Sequence, residues 1–112
     1  MSMSGEIRAL AADLKAAGER AEALGDQIVR SSAFRIQGAA QDQAPVDTGN
    51  LKNSIFTRTP GRGRAEVVAS ANYAIYVELG TSRARAQPFL GPAVDLVEPE
   101  FYAAVEQIGD IL

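Results

Sequence analysis

The sequence predicts an α+β fold, in which a long N-terminal helix and a C-terminal helix pack on a small antiparallel β-sheet containing a hairpin. Three observations carry this. Apolar residues recur at three-then-four spacing at both ends of the chain, the middle alternates in strand fashion, and a proline–glycine turn divides that middle. The 112 residues fit a single domain, with a helical segment over 1–44, a hairpin and motif core over 45–91, and a C-terminal helix over 92–112.

In the first segment Ile7, Leu10, Leu14, Ala17, Ala21, Leu24 and Ile28 share one helical stripe. The positions between them are mostly Ala, Glu, Arg, Lys and Gln, all strong helix formers. Ser4 is the expected N-cap, with Glu6 in the first turn where the helix dipole favours an anion. After Ile28 the stripe shifts to Val29, Phe34 and Ile36, which points to a kink or a fresh helix near Gly25 or Ser31-Ser32. Pro45 must end the helix, because the residue before a proline is pushed out of the α region.

Asp47 or Thr48 can cap a short helical turn over Gly49 to Asn53. Ser54 to Thr59 reads as a strand, with Ile55 and Thr57 on one face and Phe56 and Arg58 on the other. Pro60-Gly61-Arg62-Gly63 reads as the turn, and Arg64 to Ala71 as the return strand. Over Tyr73 to Gly80 spacing alone does not separate strand from helix. Asn72 as N-cap, Gly80 as terminator and the Tyr73/Tyr76/Val77 spacing favour a short helix. A further strand before the last helix is an open alternative. Thr81 to Gln87 is a basic loop. The last helix runs from Pro92, with Val94, Val97, Phe101, Val105 and Ile108 in a stripe and Pro99 expected to kink or restart it.

Composition narrows the chemistry. There is no cysteine and no histidine, so disulfides, thiolate metal sites and imidazole-based catalytic couples are excluded. What is left for catalysis is thin, and neither an enzyme nor a bound cofactor is expected. No apolar run approaches the ~20 residues of a membrane helix. The N-terminus lacks the basic-then-apolar order of a secretory signal, so synthesis in the cytoplasm is expected. The net charge of −3 is unevenly placed. Residues 48–91 carry Lys52, Arg58, Arg62, Arg64, Arg83 and Arg85 against Glu66 and Glu78, a balance of +4. Residues 1–47 balance at −2, and residues 92–112 hold five acids and no base. This is either an ordinary solvated surface or a subunit whose positive middle meets a negative surface.

The candidate motifs are weak for catalysis. Gly61-Arg62-Gly63 lacks the lysine of a phosphate loop and the third glycine of a dinucleotide fingerprint. Asp42 and Asp47 flank Pro45 and read as a solvated acid and a helix cap rather than a cation site. Glu78, among apolar neighbours, is expected to pair with Arg83 or Arg85. Arg58, Arg62, Arg64, Arg83 and Arg85 form two loop clusters suited to phosphates or carboxylates. Nucleic-acid binding through them is the alternative reading, although the chain is acidic overall and has only seven aromatics. Tyr73, Tyr76 and Phe89 read first as internal core, and otherwise as anchors for a neighbouring subunit.

Three blocks occur in order: Ala44-Pro45-Val46-Asp47-Thr48-Gly49-x-Leu51-x-x-Ser54-Ile55, then Tyr73-Ala74-x-Tyr76-Val77-Glu78-x-Gly80-Thr81, then Gln87-Pro88-Phe89-Leu90-x-Pro92-Ala93. Together they resemble the tailed-phage family typified by the tenth gene product of phage HK97, over about residues 35–112. The resemblance implies an α+β structural subunit of a head–tail joining, neck or tail-completion ring in the virion of a siphophage or prophage. It also implies self-association, six-fold or alternatively twelve-fold, contact with neighbouring connector and tail proteins, and a channel that passes DNA without reading its sequence. The link between the hairpin strands is shorter here than in many relatives.

Overall fold

The structure is a computed structural model that describes residues 3–45 and 49–111, with side chains over 16–45 and 49–110. It is mixed α+β, as the spacing predicts. Helix α1 spans Met3–Gln43, α2 Asn50–Asn53, strand β1 Ile55–Gly61, β2 Arg64–Ala69, helix α3 Ala74–Leu79 and α4 Leu90–Ile111.

Helix α1 is one uninterrupted element of 41 residues, about 61 Å long at 1.5 Å per residue. The expected break near Gly25 or Ser31-Ser32 does not occur. Ser31 Oγ donates 3.2 Å to the Ile28 carbonyl, so the hydroxyl folds back on its own helix rather than opening it. A Cβ on Gly25 would meet Ile108 Cδ1 at 3.9 Å, which marks where α4 passes close. Ser4 lies within the helix rather than capping it, since α1 begins at Met3. The helix ends as expected before Pro45, with the Ala44 amide donating 2.9 Å to the Ala40 carbonyl.

Helices α1 and α4 run antiparallel. Ala40 shares a buried cluster with Ala93, Arg35 pairs with Glu100, and Gly25 faces Ile108. The expected later stripe holds only in part: Ile36 packs against a cluster that includes the buried Ala40 and Ala44, Ala33 is buried too, and Phe34 is exposed. Alanines here let the backbones come close. Leu51, Ile55, Ala74 and Phe89 complete the cluster, and Phe89 is fully enclosed.

The hairpin is antiparallel, with Ile55 opposite Ala69, Thr57 opposite Val67 and Arg58 opposite Glu66. The strand runs past the expected turn, and only Arg62-Gly63 form it, Gly63 taking φ 73°. Pro60 has no amide to donate, and the register slips between Arg58 and Gly61. A two-stranded ribbon is not stable alone. Helix α1 covers one face: Thr57 Oγ1 lies 2.6 Å from Gln37 Oε1, and Gln41 Nε2 donates to the Ile55 carbonyl at 3.4 Å. No third strand occurs among the described residues.

Two further expectations are corrected. Asn72 is not the N-cap of α3. The chain enters that helix through a turn in which the Ala74 amide donates to the Ala71 carbonyl, with Tyr73 at the cap position and no side-chain cap bond. Pro99 does not restart the last helix, which is a single element. Its pyrrolidine ring sits on the exposed side, away from the buried stripe.

The molecule is drawn out, 76 × 23 × 21 Å with a radius of gyration of 20.4 Å. A compact chain of this length would have about 13 Å. The pairing of Gly25 with Ile108 puts the end of α4 near Glu22, so the first turns of α1 project beyond it. Phe89 and Phe34 make the contrast testable. Phe89→Ala should cost about 3–5 kcal/mol in urea unfolding. Phe34→Ala, at a side chain 57% exposed, should stay within about 0.5 kcal/mol.

Candidate functional site

The junction of α3, the loop after it and the start of α4 is tied by a dense set of hydrogen bonds. A helix begins with four amides that have no partner inside the helix. At α4 these belong to Phe89, Leu90, Gly91 and Pro92, and Pro92 has no N–H. The other three all donate to the Glu78 carboxylate, at 2.8, 3.0 and 2.9 Å. One side chain therefore satisfies the whole first turn. Burial raises the Glu78 pKa, but the three amides outweigh it and hold the carboxyl below its usual range. The expected partners Arg83 and Arg85 do not reach it. A helix N-terminus offers a fixed, desolvated set of donors, which two mobile surface arginines do not.

The loop is tied at several more points. The Gln87 amide donates 2.8 Å to the Val77 carbonyl, and the Thr81 amide donates 2.8 Å to that of Ala84. Thr81 Oγ1 accepts from the amides of Ala84 and Arg83 at 2.9 and 3.2 Å. Gly80 takes φ 78°, and a Cβ there would lie 2.7 Å from the Ala86 nitrogen. The second and third sequence blocks are thus one physical unit. Pro88 sits exposed just before Phe89, and Pro92 half-buried in the first turn of α4.

The first block forms a second corner. Gly49 takes φ 77° ahead of α2, Leu51 is buried, and Ser54 Oγ donates 2.7 Å to the Leu51 carbonyl. The Ser54 carbonyl accepts from both the Ser70 amide and Ser70 Oγ. Pro45 is half-buried beside Tyr73 and Tyr76. Asp47 and Thr48, expected as caps, lie outside the described residues.

The aromatic set divides. Phe89 is core, whereas Tyr73 is 39% and Tyr76 61% exposed. The arginines divide too. Arg58 and Arg64 both bind Glu66 on the hairpin, and the Arg58 hydrogen bond holds Glu66 below its usual range. Arg62 lies at the hairpin tip near Asp26. Arg83 and Arg85 have no ion-pair partner among the described residues. Sequence reasoning missed Asp26, whose Oδ1 accepts from the Gly63 amide at 2.7 Å and whose Oδ2 pairs with Arg30 at 3.0 Å. The Gly63 bond, against the opposing effect of burial and with Arg30 and Arg62 adding to it, lowers the Asp26 pKa. It also missed the exposed apolar side chains Ile75, Leu79 and Tyr102. Their signal was present as apolar residues off the core stripes.

A groove of about 490 Å³ opens between α1, β2 and α4, with Ala33, Val67 and Val97 among its lining and Val94, Glu98 and Tyr102 on its α4 wall. Among the described residues no cluster of three carboxylate, histidine or cysteine side chains is placed to hold a metal. Likewise no described helix is long and apolar enough to cross a membrane. The carboxylates Asp26, Glu66 and Glu78 are all pushed toward permanent charge. That suits anchors better than proton donors.

The Glu78 contact sets a pH dependence. Its folded pKa is depressed, so its stabilisation is complete above the unfolded value of about 4.5 and is lost as pH falls through the lower folded value. Glu78→Ala should cost about 1–3 kcal/mol at pH 7. Its stability gap to the parent chain should narrow as pH falls below the unfolded value of about 4.5, as read by urea unfolding across pH. Gly80→Ala should lose at least about 1–2 kcal/mol from the positive φ alone, with no such recovery in acid.

No curated protein and no solved structure matches the chain at a significant level. The family described as "Bacteriophage HK97-gp10, putative tail-component" matches residues 8–80. That span runs from α1 through the hairpin to Gly80, and leaves Thr81 and the Gln87-to-Ala93 block outside it. The match covers more than half of the sequence, and the chain belongs to this HK97-gp10-like family of phage tail components.

Proposed function

We propose that the chain is a structural subunit of a tailed-phage head–tail connector, closing head-to-tail with identical copies into a ring through which DNA passes. The observation that carries this is the amount of apolar surface left uncovered on two different parts of the molecule. Ile75, Tyr76 and Leu79 stand out from α3, while Val94 and Tyr102 line an open groove on α4. Scattered exposed apolar residues are ordinary, but two contiguous patches mark places of contact. A ring needs two unlike, complementary faces on each subunit.

Charge supports the same reading. The acids Glu106 and Asp110 are exposed toward the C-terminal end of α4. If this face lines the channel, it repels the DNA backbone and keeps the passage free. Six copies is the expected number, with twelve the alternative, and the ring's two flat sides meet connector and tail proteins within the virion. The chain is on this reading a non-catalytic part. The rival role as a nucleic-acid module loses weight because Arg58 and Arg64 are already engaged by Glu66.

Cryo-electron microscopy of the intact particle tests the proposal. The expected result is a ring of this chain at the head–tail junction or the proximal tail end. A mature particle without the chain would overturn it, and DNA affinity of a purified sample that is strong at low salt and falls steeply as salt is raised would favour the loop arginines as a nucleic-acid site instead.

A further inference from the structure

We propose that the corner made by α3 and the loop after it seats in the groove between α1, β2 and α4 of a second copy of the chain. This rests on the ring reading and names its two faces. The groove is nearly all apolar in its lining and unfilled, with Tyr102 57% exposed at its edge. Its charge is of one sign. Glu98 is on the rim and Asp95 lies one turn away on α4, both exposed and without an ion-pair partner among the described residues. No basic residue follows Arg85 in the sequence. The nearby α1 cations Arg30 and Arg35 are taken by Asp26 and Glu100.

The α3 corner is the matching surface. Leu79 is 71% exposed with Ile75 and Tyr76 beside it, and Arg83 and Arg85 follow within six residues. Leu79 would fill the apolar groove while the arginines met Asp95 and Glu98. The corner is also stiff, because Glu78, Gly80 and Thr81 hold its backbone, so little freedom is lost on docking. Other parts of a second copy fit less well. The first turns of α1 carry Glu6, Asp13, Glu19 and Glu22 against Arg8, Lys15 and Arg20, which brings acids to an acidic rim. The hairpin tip is already held down by Asp26. A corner and a groove are unlike surfaces, so the contact propagates head-to-tail.

The absence of native cysteine gives a direct test. Leu79→Cys and Tyr102→Cys are introduced together into the chain carried by phage particles. Within one copy the pair cannot join. Glu78 sits at Gly91, and Tyr102 is about 16 Å further along α4, beyond the ~7 Å a disulfide spans. Oxidised particles on a non-reducing gel should give a ladder of dimer, trimer and higher species, and neither single variant should. Rings without a ladder, or a ladder that stops at dimer, would overturn this contact and leave the ring standing. Particles without the chain would remove the ring reading and this contact with it. A charge exchange checks the same contact without cysteines. Arg83→Glu with Arg85→Glu should cut incorporation at least tenfold, and adding Asp95→Arg with Glu98→Arg should restore it. Unchanged incorporation in the first variant, or no recovery in the second, counts against the contact.

Discussion

The placement of α4 depends on one carboxylate. Glu78 sits at the end of a six-residue helix, too short to hold its place by its own hydrogen bonds. By accepting all three available amides at the start of α4, it fixes α3 against the longer helix. That in turn positions Phe89 in the core beside Ala40 and Ala93. Once α4 is placed, its antiparallel run along α1 defines the groove, and α1 closes one face of the hairpin. The Gly80 dihedral and the Thr81 hydroxyl serve the same junction, since they let the loop return within bonding distance of Val77.

The elements were legible because helix and strand spacing is a local property. The alternation of Ile55, Phe56, Thr57 and Arg58 gave the hairpin its buried and open faces correctly. Breaks were over-read. Gly25, Ser31 and Pro99 each lower helix propensity, but tertiary contact along a 41-residue helix and an exposed site on α4 absorb the local cost. The partner of Glu78 was misread for a related reason. Arg83 and Arg85 are near in sequence, whereas the amides that bind Glu78 become a site only when α4 exists. Pro92 in a first helical turn was the available hint, since it marks where donors would gather.

The division of the aromatics was not legible at all. Tyr73, Tyr76 and Phe89 lie in similar apolar settings in the sequence, yet only Phe89 is enclosed. The difference arises from the loop that turns the third block back under α3. Likewise the hairpin arginines look free in the sequence and are tied to Glu66 across the strands, a pairing that needs the register of Arg58 opposite Glu66. The cation-bearing surface therefore shrinks from five arginines to those at the hairpin tip and the α3 loop.

A small core and a stiff corner are what the proposed ring subunit would need. Only nine apolar side chains are buried among the described residues, several of them alanine, in a molecule far more extended than its length requires. In the proposed ring, covering the rest of that apolar surface with neighbouring copies would add stability. In a closed ring any angular slack at one contact is repeated at every copy, so the contacting element must hold its direction before it docks. A short helix pinned by three hydrogen bonds to the start of a long one meets that requirement. A hydrophobic patch on an untethered loop would offer the same area without the geometry.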